Sequence, residues 1–206
     1  YGGVTTNIGY TGLKFQPDFV WIKRRVSGSE SHALYDSARG INEQLSSDTD
    51  AEEATNTAPF EGFTSFDANG FTVDNNGATN RAPNSYVAWA FKGGGAPDAT
   101  NSNGAGVAPT LGSVMIDGVK STAALAGTTA ATKISANTKA GFSIVQFSGN
   151  LSSSGNIQVG HGLSSPPELI IQKNTQDTGT WWARPFFLNN NPYQYLGCLL
   201  YTSPSP

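Results

Sequence analysis

Acidic residues between positions 48 and 53 are the first candidates for chemistry in this chain. Asp48 and Asp50, followed by Glu52 and Glu53, offer the hard carboxylate oxygens that Ca²⁺ prefers. Their spacing lacks the glycine and the later bidentate glutamate of an EF-hand loop, so further ligands would have to come from other loops. A solvated acidic loop explains the same residues. Ca²⁺, with Asp48 and Asp50 as ligands, stays an open alternative, and no other cofactor is predicted.

His32 and its charged neighbours form a second candidate site. His32 precedes Asp36 by four residues, and a carboxylate can orient an imidazole for general-base chemistry. Yet no serine or cysteine has a recognisable nucleophile context, and the glycine-rich segments lack the phosphate-binding spacings. Surface salt links explain the charges of Arg25, His32 and Asp36 more simply. The pattern therefore predicts a protein that is not an enzyme.

Aromatic residues on the predicted strands point to a third kind of chemistry, the stacking of sugar rings. Trp21 and Tyr35 lie on neighbouring strands, and Tyr86 and Trp89 lie on a later one. Side chains alternate between the two faces of a strand, and only one face can be buried here, so core packing is the favoured interpretation and sugar stacking is the alternative. If their rings face outward, Trp21 and Tyr35 are the better sugar contacts. With Arg25 and His32 they are the candidate ligand-binding residues.

Short strands must position these side chains. Residues 18–25, "DFVWIKRR", mix β-branched and aromatic residues and are entered through Pro17, which suits a strand start because proline cannot donate to a sheet. Residues 31–36, "SHALYD", are predicted as the neighbouring strand. Residues 37–45 are compatible with one helical turn, although Gly40 weakens it.

The strongest local pattern is "GFTSFDANGFTVD", residues 62–74. It predicts a β-hairpin in which Asn69-Gly70 takes positive φ. Residues 85–92, "SYVAWAFK", predict a strand whose Val87, Trp89 and Phe91 form an apolar face suited to a sandwich core. This strand is expected to close the first unit.

A repeat organises the rest of the chain. Gly162-Leu163, Pro167 and Lys173 copy Gly12-Leu13, Pro17 and Lys23 about 150 residues later. The segment from 93 to 112 is rich in Gly, Ala and Asn and has little to bury, as a linker or a long loop would. The predicted divisions are a first β-sandwich unit (1–92), a linker or loop (93–112), short connecting strands (113–140) and an incomplete second unit (141–197). Residues 198–206 are predicted to be a translated sequencing adapter and not part of the natural protein.

Missing strands in the second unit have an expected consequence. A sandwich needs two sheets to cover its apolar faces. We therefore expect the second unit to expose an apolar patch, formed by Trp181, Trp182, Phe186 and Phe187.

Composition narrows both the class and the partners. Only 13% of the 206 residues are charged and 24 are glycine, which favours an all-β protein. A net charge of −3 provides no basic field for nucleic acid. No apolar run reaches the length of a membrane span, and the single cysteine excludes an internal disulfide. The chain begins at Tyr1, which we interpret as the start of a fragment.

Several stretches resemble a repeated domain of tailed-bacteriophage structural proteins, the tail-fibre-like and virion-associated polypeptides of marine metagenomes. The matching segments are "LKFQPDFVWIKRR", "LYDSARG", "FTSFDANGFTVD", "SYVAWAFKGG" and "VGHGLSSPPELIIQK". The resemblance covers most of Asn7 to Arg184 and implies an antiparallel β-sandwich of the jelly-roll type, similar to the concanavalin lectins. It carries over no catalytic residue, because the matching positions are strands and turns.

This resemblance implies a non-enzymatic structural module of a phage tail fibre or virion surface, made in the host cytoplasm. Its implied partners are other virion proteins, further copies of itself and a polysaccharide of the host cell surface. The alternative is a tail-associated glycosidase, which would need two carboxylates about 5 to 10 Å apart. Its candidates are the clustered acids Asp36, Asp48, Asp50, Glu52 and Glu53.

Overall fold

The computed structural model describes residues 7–25, 30–57, 62–149 and 156–186, and the backbone of Gln194 and Tyr195. Within these ranges the chain forms β-strands and no helix, which confirms the all-β class. The predicted helical turn at residues 37–45 was wrong, because Gly40–Leu45 is a strand. Its Leu45 is buried and pairs with Leu34, so sheet pairing overrides the weak local helix preference.

The first part of the chain is a β-sandwich of eight strands. They are β1 (Ile8–Thr11), β2 (Phe19–Arg24), β3 (Ala33–Asp36), β4 (Gly40–Leu45), β5 (Ala54–Thr55), β6 (Phe63–Asp67), β7 (Gly70–Val73) and β8 (Tyr86–Phe91). One sheet has the order β5-β4-β3-β2-β8 and the other has β1-β7-β6, all antiparallel. Their facing apolar side chains make the core, as two-sheet packing requires.

Aromatic rings from both sheets fill this core. The Tyr35 ring stacks on Phe63 with centroids 4.9 Å apart, and Phe63 stacks on Phe71 at 5.9 Å. Val20 and Ile22 of β2 complete the buried cluster. The five-stranded sheet therefore commits one face to this core, and the other face points away from it.

The predicted hairpin at residues 62–74 is present as β6 and β7. Its glycine has a different reason from the predicted one, because Gly70 is not among the positive-φ residues. A Cβ at Gly70 would instead collide with the backbone carbonyl of Tyr10 on β1. Close approach of β1, and not turn geometry, therefore requires glycine at this position.

Strand β8 faces the opposite way from the prediction. Tyr86 and Ala90 pack against the sandwich core, whereas Trp89 and Phe91 point outward and are 46% and 42% exposed. Register decides this, because Trp89 and Phe91 pair with the outward Trp21 and Phe19 of β2, whose alternate residues enter the core. Trp89 and Phe91 therefore lie on the outer face.

Residues 93–112 contain no strand, yet their first residues are buried against two sheets. The Gly93 N–H donates to Asp18 Oδ2 (2.8 Å), and the Gly94 N–H donates to Ser135 Oγ (3.0 Å). A Cβ at Gly94 would collide with the carbonyl of Ala136. These hydrogen bonds fix the start of the segment between the two sheets.

A second sheet system follows this loop. It contains β9 (Val114–Ile116), β10 (Val119–Lys120), β11 (Ala131–Asn137) and β12 (Phe142–Phe147) in the order β10-β9-β11-β12. The pairing of β9 with β11 is parallel, which differs from the expected antiparallel arrangement. Phe142 of β12 lies 5.2 Å from Phe91 and 5.9 Å from Phe19 between ring centroids, so this sheet packs against one end of the sandwich.

The last sheet contains β13 (Leu169–Gln172), β14 (Trp182–Pro185) and β15 (Gln194–Tyr195). The predicted apolar patch holds for Trp182 and Phe186, which are exposed. It was wrong for Trp181, which is 5% exposed because it packs on Leu34 and Leu45 and its Nε1–H donates to the Ser46 carbonyl (2.8 Å). Phe187 lies outside the described residues.

Shortening Phe63 tests the shared core. Phe63 is fully buried, so Phe63→Ala is expected to lower the free energy of unfolding by about 3–5 kcal/mol. Phe186→Ala, at an exposed phenylalanine, is the matched control and should change it by less than about 0.5 kcal/mol. Urea denaturation followed by tryptophan fluorescence measures both, and equal losses would contradict a core centred on Phe63.

Candidate functional site

The outer face of the five-stranded sheet carries a group of large aromatic side chains, which we term the aromatic face: Phe19, Trp21, Trp89 and Phe91. Strand register creates it, because β2 and β8 pair Trp21 with Trp89 and Phe19 with Phe91. The indole rings of Trp21 and Trp89 meet edge to face with centroids 5.9 Å apart. Phe19 and Trp21 are half-buried on this face, and Trp89 and Phe91 are exposed.

A hydrogen bond holds Trp21 in place. Its Nε1–H donates to His32 Nδ1 at 2.7 Å, and the two rings are 5.6 Å apart. Because Nδ1 accepts this bond, the neutral imidazole carries its proton on Nε2 and can donate from there. The pKa of His32 is lowered chiefly by burial, with a smaller contribution from Lys23 and an opposing one from Asp48. The histidine is therefore neutral at pH 7.

Charged groups border this tryptophan on the same side. Asp48 Oδ1 accepts the backbone N–H of His32 (3.0 Å), and its Oδ2 lies 3.7 Å from Lys23 Nζ. Lys23 Nζ also donates to the Glu30 carbonyl (2.7 Å). An ammonium, a carboxylate and an imidazole thus lie within a short chain of contacts beside Trp21, and we term Lys23, His32 and Asp48 the polar rim.

The structure separates the acids that the calcium hypothesis brings together. Asp48 contacts Lys23 and His32, while Glu53 Oε2 accepts a bond from Arg39 (2.6 Å). The contacts of Asp50 come through its backbone carbonyl, which accepts from the Gly179 N–H (2.7 Å) and from Lys173 Nζ (3.2 Å). Among the described residues, no three His, Cys, Asp or Glu side chains are grouped for a metal. Calcium binding by Asp48 and Asp50 stays a prediction.

Asp36 does not orient His32. Its carboxylate is buried and accepts from Arg39 Nε (2.6 Å) and from the backbone N–H groups of Ala38 (3.1 Å) and Arg39 (2.8 Å). The guanidinium of Arg39 also reaches Glu53, so it holds two carboxylates at once. This arrangement stabilises the β3–β4 turn, and the carboxylate that acts on the imidazole is that of Asp48.

Two of the sequence candidates lie elsewhere. Tyr35 faces the sandwich core with no exposed surface, so the prediction that it stacks on a sugar was wrong. Alternation along β3 explains this, because Tyr35 shares its face with Ala33 and the core cluster. Its hydroxyl donates to Gln44 Oε1 (2.6 Å), and burial raises its pKa. Arg25 follows the end of β2 and is exposed.

Sequence reasoning missed Phe91 and Lys23, and it assigned Trp89 to the core. The signal that could have found them is the pairing of β2 with β8. Once Trp21 is placed outward, antiparallel register carries Trp89 to the same face. Register between distant strands cannot be obtained from either strand alone.

A separate groove of about 470 Å³ lies against the four-stranded sheet. Its walls are mainly small and aliphatic side chains, including those of Val114, Leu125 and Leu163. His161 is the titratable residue of its lining, and the Nδ1 of this ring accepts the Leu163 N–H (3.1 Å). The imidazole thus has a structural contact within its own turn.

A comparison with protein families matches residues 1–193 to a domain of unknown function, DUF7483. The chain belongs to this family. The DUF7483 match runs from the sandwich through the four-stranded sheet and into the C-terminal sheet. No curated protein and no solved structure matches the chain significantly. In the described part of this DUF7483 chain, no helix has the length and apolarity that a membrane crossing needs.

The contact between His32 and Trp21 predicts a pH dependence of stability. The ordinary pKa of His32 is 6.5, and its pKa in the folded chain is lower. Just below pH 6.5 the unfolded chain therefore binds a proton that the folded chain does not. The stabilisation that neutral His32 contributes is present above pH 6.5 and is lost as the pH falls through the folded pKa.

We expect a larger fall in unfolding free energy between pH 7.5 and pH 5.5 for the wild type than for His32→Asn, whose amide oxygen can still accept from Trp21. Urea denaturation at the two pH values measures this change in unfolding free energy. Both proteins have the same carboxylates, so the difference between them reports on His32. Equal pH dependence in the two chains would contradict the neutral, buried imidazole.

Proposed function

We propose that this chain is a non-enzymatic structural and adhesion module of a phage virion, and that it binds carbohydrate through the aromatic face. The observation that carries the proposal is the pair Trp21 and Trp89, aligned across two strands on the face opposite the sandwich core. Trp89 is 46% exposed, and Trp21 is half-buried, because it packs against the cluster of Leu34, Leu45 and Trp181. An exposed tryptophan ring that a rigid sheet holds in place supplies apolar contact area at low entropic cost. The C–H faces of a pyranose ring are the matching surface.

Polar groups beside the rings support the choice of a sugar over a purely apolar ligand. Lys23 and Asp48 provide a donor and an acceptor, and the Nε2–H of His32 provides another donor. Binding sites for small polar ligands combine apolar contact with a few such placed groups. Phe91 extends the apolar surface along β8, so the platform is longer than one ring.

Two of the acids that a glycosidase would use support binding over hydrolysis. Asp36 and Glu53 are bonded to the same guanidinium, with Arg39 as their common partner. A carboxylate held in this way cannot reach a glycosidic oxygen without giving up its bond to a buried cation. The proposal therefore assigns these acids to the fold.

A place in a virion fits the repetitive design. Repetition turns a weak contact with one sugar into avidity for a coated surface, because neighbouring sites are tethered together. The internal repeat that begins at Gly12 and again at Gly162 supports such an array. The partners in this proposal are host polysaccharide, other virion proteins and further copies of the module, and its location is the tail or surface of the particle.

Truncation of Trp89 tests the platform. On an array of bacterial surface polysaccharides, the wild-type chain should retain at least one glycan, and Trp89→Ala should weaken that binding by about tenfold or more, as central tryptophans do. Trp182→Ala is the matched control, because Trp182 is also a tryptophan and is 42% exposed, but it lies on another sheet.

Two outcomes would overturn the proposal. Retention of no glycan across the array would remove carbohydrate binding, and equal binding by wild type and Trp89→Ala would remove the aromatic face as its site. Release of reducing sugar by the wild-type chain would instead favour the glycosidase.

A further inference from the structure

The C-terminal sheet is a second copy of part of the sandwich. Strands β13, β14 and β15 are neighbours in the same order as β2, β3 and β4. The pairing of Ala183 with Gln194 repeats the pairing of Leu34 with Leu45. The strand hydrogen bonds agree as well, because the Ser37 N–H donates to the Asp18 carbonyl and the Phe186 N–H donates to the Glu168 carbonyl, both at 2.8 Å.

In the first copy, a hairpin covers one face of these strands. Val20, Ala33 and Tyr35 point to that face and have no exposed surface. The β6–β7 hairpin covers them with Phe63, Phe71 and Val73. A sheet of this kind therefore obtains its core from a hairpin that comes later in the chain.

In the second copy, the corresponding face is open. Ile170 occupies the position of Val20 and is 41% exposed, and Trp182 occupies the position of Ala33 and is 42% exposed. The opposite face of β14 is covered, since Ala183 is 8% exposed. Within the described residues, the side of this sheet that matches the sandwich core is open on both β13 and β14, whereas the opposite side is covered at Ala183 and open at Leu169 and Ile171 of β13.

We propose that this open face, formed by Ile170, Gln172, Trp182 and Arg184, docks a β-hairpin of the β6–β7 type. The occupant is argued from the chain itself, because the same strands in the first copy are covered by that hairpin. Exposed large apolar side chains on one sheet face, here Ile170 and Trp182, are typical of an interaction surface. The inference concerns assembly and does not depend on carbohydrate binding.

Side-chain changes on the open face define the hairpin that fits. Trp182 replaces the small Ala33, so the hairpin needs less bulk at that point than β6–β7 has. Arg184 replaces Tyr35, whose ring stacks on Phe63. The guanidinium of Arg184 already lies 4.8 Å from the centroid of the Phe186 ring, and a planar guanidinium stacks on aromatic rings much as tyrosine does. We therefore expect the docked hairpin to have a phenylalanine at the position that corresponds to Phe63.

The experiment supplies the hairpin to the full chain in cis. A copy of residues 62–74 is appended through a flexible linker of about 20 Gly and Ser residues, which reaches roughly 25 Å on average. Tethering raises the effective concentration of a hairpin that is only marginally stable alone. The protein is labelled with 5-fluorotryptophan, and its 4 tryptophans give separate fluorine signals, with that of Trp182 assigned by Trp182→Phe.

Docking should shift the fluorine signal of Trp182. It should also reduce the difference in that signal's chemical shift between H₂O and D₂O, because the docked hairpin excludes solvent from the ring. The matched control carries the same appended copy with Ser at both positions that correspond to Phe63 and Phe71, and it should keep the Trp182 signal of the wild type. Ile170→Ser in the chain with the intact copy should also return the signal to that position. An equal shift with both appended copies, or no shift with either, would overturn the proposal.

Sedimentation of the unmodified chain tests a different occupant. We expect Trp182→Ser to leave the sedimentation coefficient unchanged. If the wild type is instead a dimer that Trp182→Ser converts to a monomer, a second copy of the chain covers this face and the hairpin proposal is wrong.

Discussion

The buried carboxylate of Asp18 is the contact on which the arrangement of the sandwich depends. Its Oδ1 accepts the Ser37 hydroxyl and its Oδ2 accepts the Gly93 N–H, both at 2.8 Å, while its backbone N–H donates to the Phe91 carbonyl. A charge that is 2% exposed is tolerated only when such donors surround it. Three strands and the loop that leads to the next sheet thus meet at one side chain, and their register is set together.

That register explains why one sheet can serve two purposes. With Asp18 tied to β3 and β8, alternate residues of β2 fall on opposite faces. Val20 and Ile22 enter the core, and Trp21 is left on the outside opposite Trp89. The aromatic face is therefore a consequence of the same pairing that builds the core. The later sheets border this face, because Phe142 covers one end of it and Trp181 packs near the other.

The sequence was most informative where the determining interactions are local. Composition predicted the all-β class, the pattern at residues 62–74 predicted the hairpin, and Pro17 and Pro167 each precede a strand as expected. The sequence was least informative about which face of a sheet each side chain lies on. Trp89 was assigned to the wrong face, and the outward alternative for Tyr35 was wrong, because both strands carry apolar residues on each side and packing against Phe63 decides which side is inward. The outward position of Trp21 was predicted only as an alternative to core packing. The contacts of Asp48 with His32 and of Trp181 with Ser46 join residues far apart in the chain, which no single-segment pattern contains.

The most direct test of the central claim is a titration of the nitrogen-15-labelled chain with an oligosaccharide from a polysaccharide that it retains, followed through the indole N–H signals. Binding at the aromatic face predicts that the signals of Trp21 and Trp89 move together and saturate with one affinity, while that of Trp182 stays in place. Saturable binding that moves the Trp182 signal and leaves those of Trp21 and Trp89 unchanged would contradict it.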